Sequence, residues 1–202
     1  MLIEKGVYMN NLDTQRITKE LQLDLDMILE ENLQLAKKIK LDDLIPLIDA
    51  IQHCDRIFLI AAGRSGFALR GAAMRLMHLG LTAYFVGDTT TPAIRKGDLL
   101  IVASGSGTTA SMVRAGEKAV AVGAKVIALT TAPSSELALL ADHTVNIPAA
   151  GKQEFEAGKS KQYAGSLFEQ FLFLLMDVVF QSLWKLDGQA AESLWERHAN
   201  LE

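Results

Sequence analysis

The sequence predicts an α/β fold, a doubly wound sheet of five parallel strands with helices on both faces, and three observations carry that prediction. Short, continuous apolar runs recur at residues 56–61, 82–86, 98–103, 125–130 and 143–147. Runs of that length, apolar at successive positions, read as strands buried on both faces. Helix-length stretches at 66–79, 109–122 and 134–140 separate most of them, and parallel neighbours need such crossovers, which then cover the sheet. Finally, 202 residues, half of them hydrophobic, supply one substantial core and fall short of two, so residues 1–202 are expected to form a single domain.

The elements follow in order. Over 12–40, Leu21, Leu25, Ile28, Leu29, Leu35 and Ile39 recur every three or four residues among acids and lysines, the pattern of an amphipathic helix. A second helix is expected over 41–52, disturbed near Pro46. These N-terminal helices (12–52) precede the sheet core (56–148). Inside that core the link from 86 to 98 is short and rich in Thr and Pro, too short for a full crossover helix. After Pro148 a polar segment, 149–163, leads into an apolar helix over 165–184 and a short tail helix to about 199, making C-terminal helices over 164–199.

Composition removes several functions. With 20 basic against 24 acidic residues the net charge is −4, whereas a chain that neutralises nucleic-acid phosphates carries a basic surplus. No nucleic-acid partner is expected. The single cysteine, Cys54, excludes an intramolecular disulfide and is read as a small core residue. His53, His78, His143 and His198 lie far apart without ligand spacing, so no metal is expected. The first ten residues lack the apolar run of a signal peptide, and the greasiest stretch, 171–180, is short and interrupted by Asp177. A cytoplasmic protein with no membrane partner is the expectation.

Two loops carry the chemistry. Ala62-Gly63-Arg64-Ser65-Gly66 follows the first strand, and Ser104-Gly105-Ser106-Gly107-Thr108-Thr109 follows the third. Ligands of an open parallel sheet bind beyond the carboxyl ends of its strands, where the strand order reverses. Each loop runs from a strand directly into a helix, so unpaired N–H groups and the positive end of the helix dipole face the crevice. The hydroxyls of Ser104, Ser106 and Thr109 add donors for a tetrahedral anion, which reconciles a phosphate ligand with an acidic chain. The plainer alternative is that Thr108 or Thr109 only caps a helix. Neither loop is a Walker motif, and the first is only a fragment of Gly-x-Gly-x-x-Gly. A dinucleotide reading, with Asp88 on a ribose, would leave the second loop unexplained.

With Gly63-Arg64-Ser65 after one strand and Ser104-Gly105-Ser106-Gly107-Thr108-Thr109 after another, the chain resembles the sugar isomerase (SIS) family. The resemblance extends from the N-terminal helix onward to the 6-phospho-3-hexuloisomerase branch, through Val86-Gly87, Thr91-Pro92 and Gly165-Ser166-Leu167-Phe168-Glu169-Gln170. It implies a single SIS domain of flavodoxin-like strand order, with phosphate held at Ser65, Ser104, Ser106 and Thr109 and flanked by Gly63, Arg64, Gly105, Gly107 and Thr108. It implies interconversion of a phosphorylated ketohexose and fructose 6-phosphate in the ribulose monophosphate route of formaldehyde fixation, without a cofactor. Functional coupling to 3-hexulose-6-phosphate synthase and a homotetramer or dimer go with it. Another aldose–ketose phosphosugar isomerase and a sugar-phosphate sensor are the alternatives; the latter lacks a basic recognition helix in 12–52.

Moving a carbonyl between C3 and C2 needs a base at C2, donors for an enediolate and an acid at C3. Glu169 is the candidate base, at the start of an otherwise apolar helix where burial and the helix N-terminus act on it in opposite directions. His78 is the second catalytic candidate. Phe67, Gly71, Met74 and His78 share one stripe of the helix, and packing of that stripe against another subunit would bring His78 to a neighbour's site, the alternative being a buried histidine with one satisfied hydrogen bond. Arg64 is expected on phosphate, on a sugar hydroxyl or on a backbone carbonyl.

Overall fold

The computed structural model describes residues 11–151 and 160–201. Five strands, β1 (Ile57–Ala61), β2 (Ala83–Phe85), β3 (Leu99–Ala103), β4 (Lys125–Thr130) and β5 (His143–Asn146), form one sheet. The strand order is β2-β1-β3-β4-β5 and every pairing is parallel. This is the flavodoxin-like order, whose switch point lies between β1 and β3. All five expected strands are present, shortened by a residue or two at some ends.

Continuous apolar sequence follows from burial of both faces. Ile57, Leu59, Leu99, Ile101, Ile127 and Leu129 pack into one core, with α1 (Asn11–Ala36), α2 (Ile45–His53), α3 (Gly63–His78) and α6 (Ser166–Asp187). Phe58, Leu100, Val102, Val126 and Ala128 point the other way, toward α4 (Ala110–Ala121) and α5 (Glu136–Leu140). A short α7 (Ala191–Trp195) ends the helices. The expected 41–52 helix begins as a 3₁₀ turn, Leu41–Leu44, and turns α-helical where Pro46 sits in the first turn, the position that tolerates a missing N–H.

Between β2 and β3 the chain crosses the sheet without a helix, as the Thr/Pro-rich link implied. Val86 and Ile94 pack against the Phe58 side. The end of this link is fixed by Asp98, whose buried carboxylate accepts from Arg56 Nε at 2.9 Å, Arg56 Nη2 at 2.5 Å and the Arg95 N–H at 2.8 Å. Burial alone would raise its pKa, but these bonds and the adjacent arginine charges hold it below the ordinary aspartate value.

Three expectations about helices change. The helix after β1 starts at Gly63 rather than 66, because Ala62 is already extended and serves as N-cap; Gly63, Arg64 and Ser65 therefore form the first turn of α3. Gly66 is needed there, since a Cβ would lie 2.9 Å from the Ala61 carbonyl oxygen and push α3 off β1. The apolar helix α6 runs 22 residues and is long and apolar enough to cross a membrane, so shortness does not exclude a span. Its fully buried Leu172 and Val179, with Leu167, Phe168, Leu175, Met176 and Leu183, instead make it part of the core. In α1 only the C-terminal part is inserted: Leu35 is buried, while Leu21, Leu25 and Leu29 are exposed.

Candidate active site

The β3–α4 loop is held by its own residues and by the end of β4. Ser104 is buried, and its Oγ lies 3.0 Å from Thr109 Oγ1. Thr109 occupies the N-cap position of α4, yet its hydroxyl makes no cap bond, so the capping alternative does not account for it. Ser106 Oγ accepts from the Thr108 N–H at 3.3 Å and from Thr108 Oγ1 at 3.2 Å. The Gly105 carbonyl accepts from Thr130 Oγ1 at 3.0 Å, Thr131 Oγ1 at 2.8 Å and the Thr131 N–H at 3.1 Å. Gly107 adopts φ +63°, and a Cβ there would overlap Ser135 Oγ, so the turn requires glycine.

Ser65 is buried in the first turn of α3. Arg64, beside it, reaches across to α6: its Nη1 lies 3.0 Å from Ser166 Oγ and 3.0 Å from Glu169 Oε2. Glu169 is in the first turn of α6, its side chain 7% exposed, whereas Arg64 is 61% exposed. Phe168 then joins this helix end to the second loop, because a Cβ on Gly105 would stand 3.6 Å from its ring. The structure thus gathers Gly63, Arg64, Ser65, Gly105 and Glu169 through the contacts Arg64–Glu169 and Gly105–Phe168. The arrangement offers hydroxyl and amide donors on one side and a carboxylate paired with an exposed cation on the other.

His78 does not join this group within the chain. It sits at the far end of α3, about 22 Å along the helix from Gly63 at 1.5 Å per residue. Phe67 and Met74 of its expected stripe are exposed, but His78 is 2% exposed. The tail covers it: its ring stacks on His198 at 4.0 Å between centroids, and Arg197 Nη1 donates to the His78 carbonyl at 2.9 Å. Burial first, then His198 and Arg75, push its pKa below the ordinary histidine value.

Asp88, the acid weighed for a ribose, pairs with Arg70 at 2.5 Å. Cys54 is half-buried and burial raises its thiol pKa to about 11, so it stays protonated as a packing residue. Among the described residues no three His, Cys, Asp or Glu side chains gather as a metal site.

Sequence reasoning missed Thr130, Thr131 and Ser166. The two threonines close β4 on the crevice side, so the rule that ligands sit beyond strand carboxyl ends would have found them.

The SIS domain model matches residues 50–174. The chain belongs to the SIS domain family. It is 52% identical to the 3-hexulose-6-phosphate isomerase of Mycobacterium gastri over 179 residues, covering 89% of this chain and 90% of the relative. It is 39% identical to the 3-hexulose-6-phosphate isomerase of Bacillus subtilis, covering 87% and 95%. A crystal structure of a hypothetical protein from Methanococcus jannaschii, inferred to be a 3-hexulose-6-phosphate isomerase, superposes with a TM-score of 0.76 at 33% identity, over 89% of this chain and 99% of that one. This SIS domain covers both loops and the first turns of α6 with Glu169.

Proposed function

We propose that the chain is an isomerase that interconverts D-arabino-3-hexulose 6-phosphate and D-fructose 6-phosphate through an enediolate. The observation that carries the reading is the meeting of Arg64 with Glu169 beside the hydroxyl loop, in a chain 52% identical to an isomerase of that name. Ser65, Ser104, Ser106 and Thr109, with the N–H groups of α3 and α4, hold the phosphate. Glu169 takes the C2 proton of the 3-ketose, the enediolate is held by the crevice donors while the hydroxyl proton passes from O2 to O3, and the carbon-bound proton is returned at C3. The base is protected from bulk water by its burial in α6. Arg64 holds the Glu169 carboxylate in place and, being exposed, can turn to the phosphate or a sugar hydroxyl when substrate enters.

Within one chain His78 supports packing rather than catalysis. A catalytic part for it requires a neighbouring copy and displacement of the tail over its ring. Assembly as a homotetramer or dimer fits the exposed Leu21, Leu25 and Leu29 of α1, Phe67 and Met74 of α3, and Phe173, Leu174 and Val178 of α6. Coupling to 3-hexulose-6-phosphate synthase, the enzyme that would supply the 3-ketose, belongs to the same proposal.

The test is incubation with fructose 6-phosphate in deuterated water, followed by NMR. Deuterium at C3, with slow appearance of the 3-ketose, is expected. Exchange confined to C1 would point to aldose–ketose chemistry, and no exchange would leave a binding protein.

A further inference from the structure

The path into α6 is unusual. Ala164 has φ +30° and Gly165 has φ +81°, so two successive residues are left-handed immediately before the helix that carries Glu169, and the first is not glycine. Such a conformation persists only when its surroundings impose it. The segment just before it is bonded to α1. Glu31 Oε1 accepts from the Lys161 N–H at 2.6 Å, and Oε2 accepts from Ser160 Oγ at 2.7 Å and Gln162 Nε2 at 3.0 Å. The chain of bonds then continues into α6: Gln170 Nε2 donates to Gln162 Oε1 at 2.7 Å, and Asn32 Nδ2 donates to Gln170 Oε1 at 2.8 Å. Gln170 is the residue after Glu169.

We propose that Glu31 is a positioning residue for the isomerase reaction: by clamping residues 160–162 it fixes the entry into α6 and with it the place of Glu169. The inference rests on the assignment of Glu169 as base. Glu31 lies four residues before Leu35, on the face that inserts in the core, so the clamp is anchored to the inserted end of α1. Burial would raise its pKa, but the Lys161 N–H, the Ser160 hydroxyl and the Gln162 amide, with the Lys161 charge, lower it overall, so the clamp works as a carboxylate. A reacting carboxylate displaced by about 1 Å costs up to a hundredfold in rate. The β3–α4 loop makes none of the bonds of this chain, which gives the proposal its signature: turnover falls and phosphate affinity does not.

The experiment compares Glu31→Gln and Glu31→Ala with wild type, in turnover and in calorimetric affinity for fructose 6-phosphate. The expected kcat losses are about tenfold and up to about a hundredfold, with Kd changed less than twofold. Added to Glu169→Gln, Glu31→Ala should alter the residual rate less than twofold, because its effect runs through that carboxylate. If Glu31→Ala fails to fold, Gln162→Ala removes two links, to Glu31 and to Gln170, and should show the same split at about threefold. Wild-type kcat in the Glu31 variants, a parallel loss of affinity, or an equal fall in the Glu169→Gln background would overturn the proposal. Near-normal turnover of Glu169→Gln itself would remove the base assignment on which it stands.

Discussion

The two halves of the candidate site are built on different principles. The β3–α4 loop is local: Ser104 meets Thr109 five residues on, Ser106 meets Thr108, and Gly105 is held by threonines at the end of the adjacent strand. The surroundings of the proposed base, Glu169, are assembled from afar, with Arg64 reaching over 105 positions of sequence and Glu31 bonded to residues about 130 positions away. A group that binds a fixed tetrahedral anion can be preformed by a turn. A group that must abstract one proton, and avoid others, has to be aimed by several elements at once.

The difference is sharpest in Glu169→Gln. This substitution keeps the shape and removes the basicity, so kcat should fall by about two to four decades while fructose 6-phosphate still binds. Turnover within threefold of wild type would break the comparison, since α6 would then carry no reacting group. Ser104→Ala tests the other half. A hydrogen bond to a charged group is worth about 1.5–3 kcal/mol, so affinity for phosphorylated sugar should fall roughly tenfold to a hundredfold with kcat little changed. An equal loss for an unphosphorylated analogue would contradict the phosphate assignment. Arg64 belongs to both halves and gives a mixed result: Arg64→Ala should change KM and kcat together, each by several fold. Its exposure screens the ion pair, so the thermal midpoint should hardly move, and a large drop there would make Arg64 a structural residue.

The same division explains what could be read from sequence. All five strands were legible because the sheet is covered on both sides, so residues such as Phe58 and Leu59 are both buried and their run is unbroken. The start of α3 was not, since hydrophobic periodicity begins at Phe67 while the backbone turns helical at the polar residues 63–65. The loop proposed to hold phosphate stood out in the sequence for the reason that makes it local: its hydroxyls are neighbours in the chain. Glu31 left no trace, because a polar side chain on an amphipathic helix looks solvated until the segment 160–162 is folded against it. The Leu21, Leu25 and Leu29 stripe was visible, but periodicity does not reveal that these residues stay exposed while Leu35 enters the core.

The smallest effect concerns the end of α3 remote from both halves. His78 is buried beneath His198, and burial, His198 and Arg75 hold its pKa below the ordinary value. The unfolded chain therefore binds a proton at higher pH than the folded one, and stability rises with pH between the two values. The contribution is fully present above about pH 6.5, the ordinary histidine value, and is lost as pH falls from there through the folded value. His78→Phe keeps the stack and removes the titration, so its urea midpoint should decline less than that of wild type between pH 7.5 and 5. Parallel declines would place the acid sensitivity elsewhere. At pH 7.5 the variant should retain kcat and phosphate affinity within about twofold, because His78 lies about 21 Å along α3 from Arg64, at 1.5 Å per residue. A tenfold loss of kcat with stability and assembly intact would return His78 to the reaction, as a donor to a neighbouring copy, and would make the base of this enzyme a site assembled not only from distant segments but from two chains.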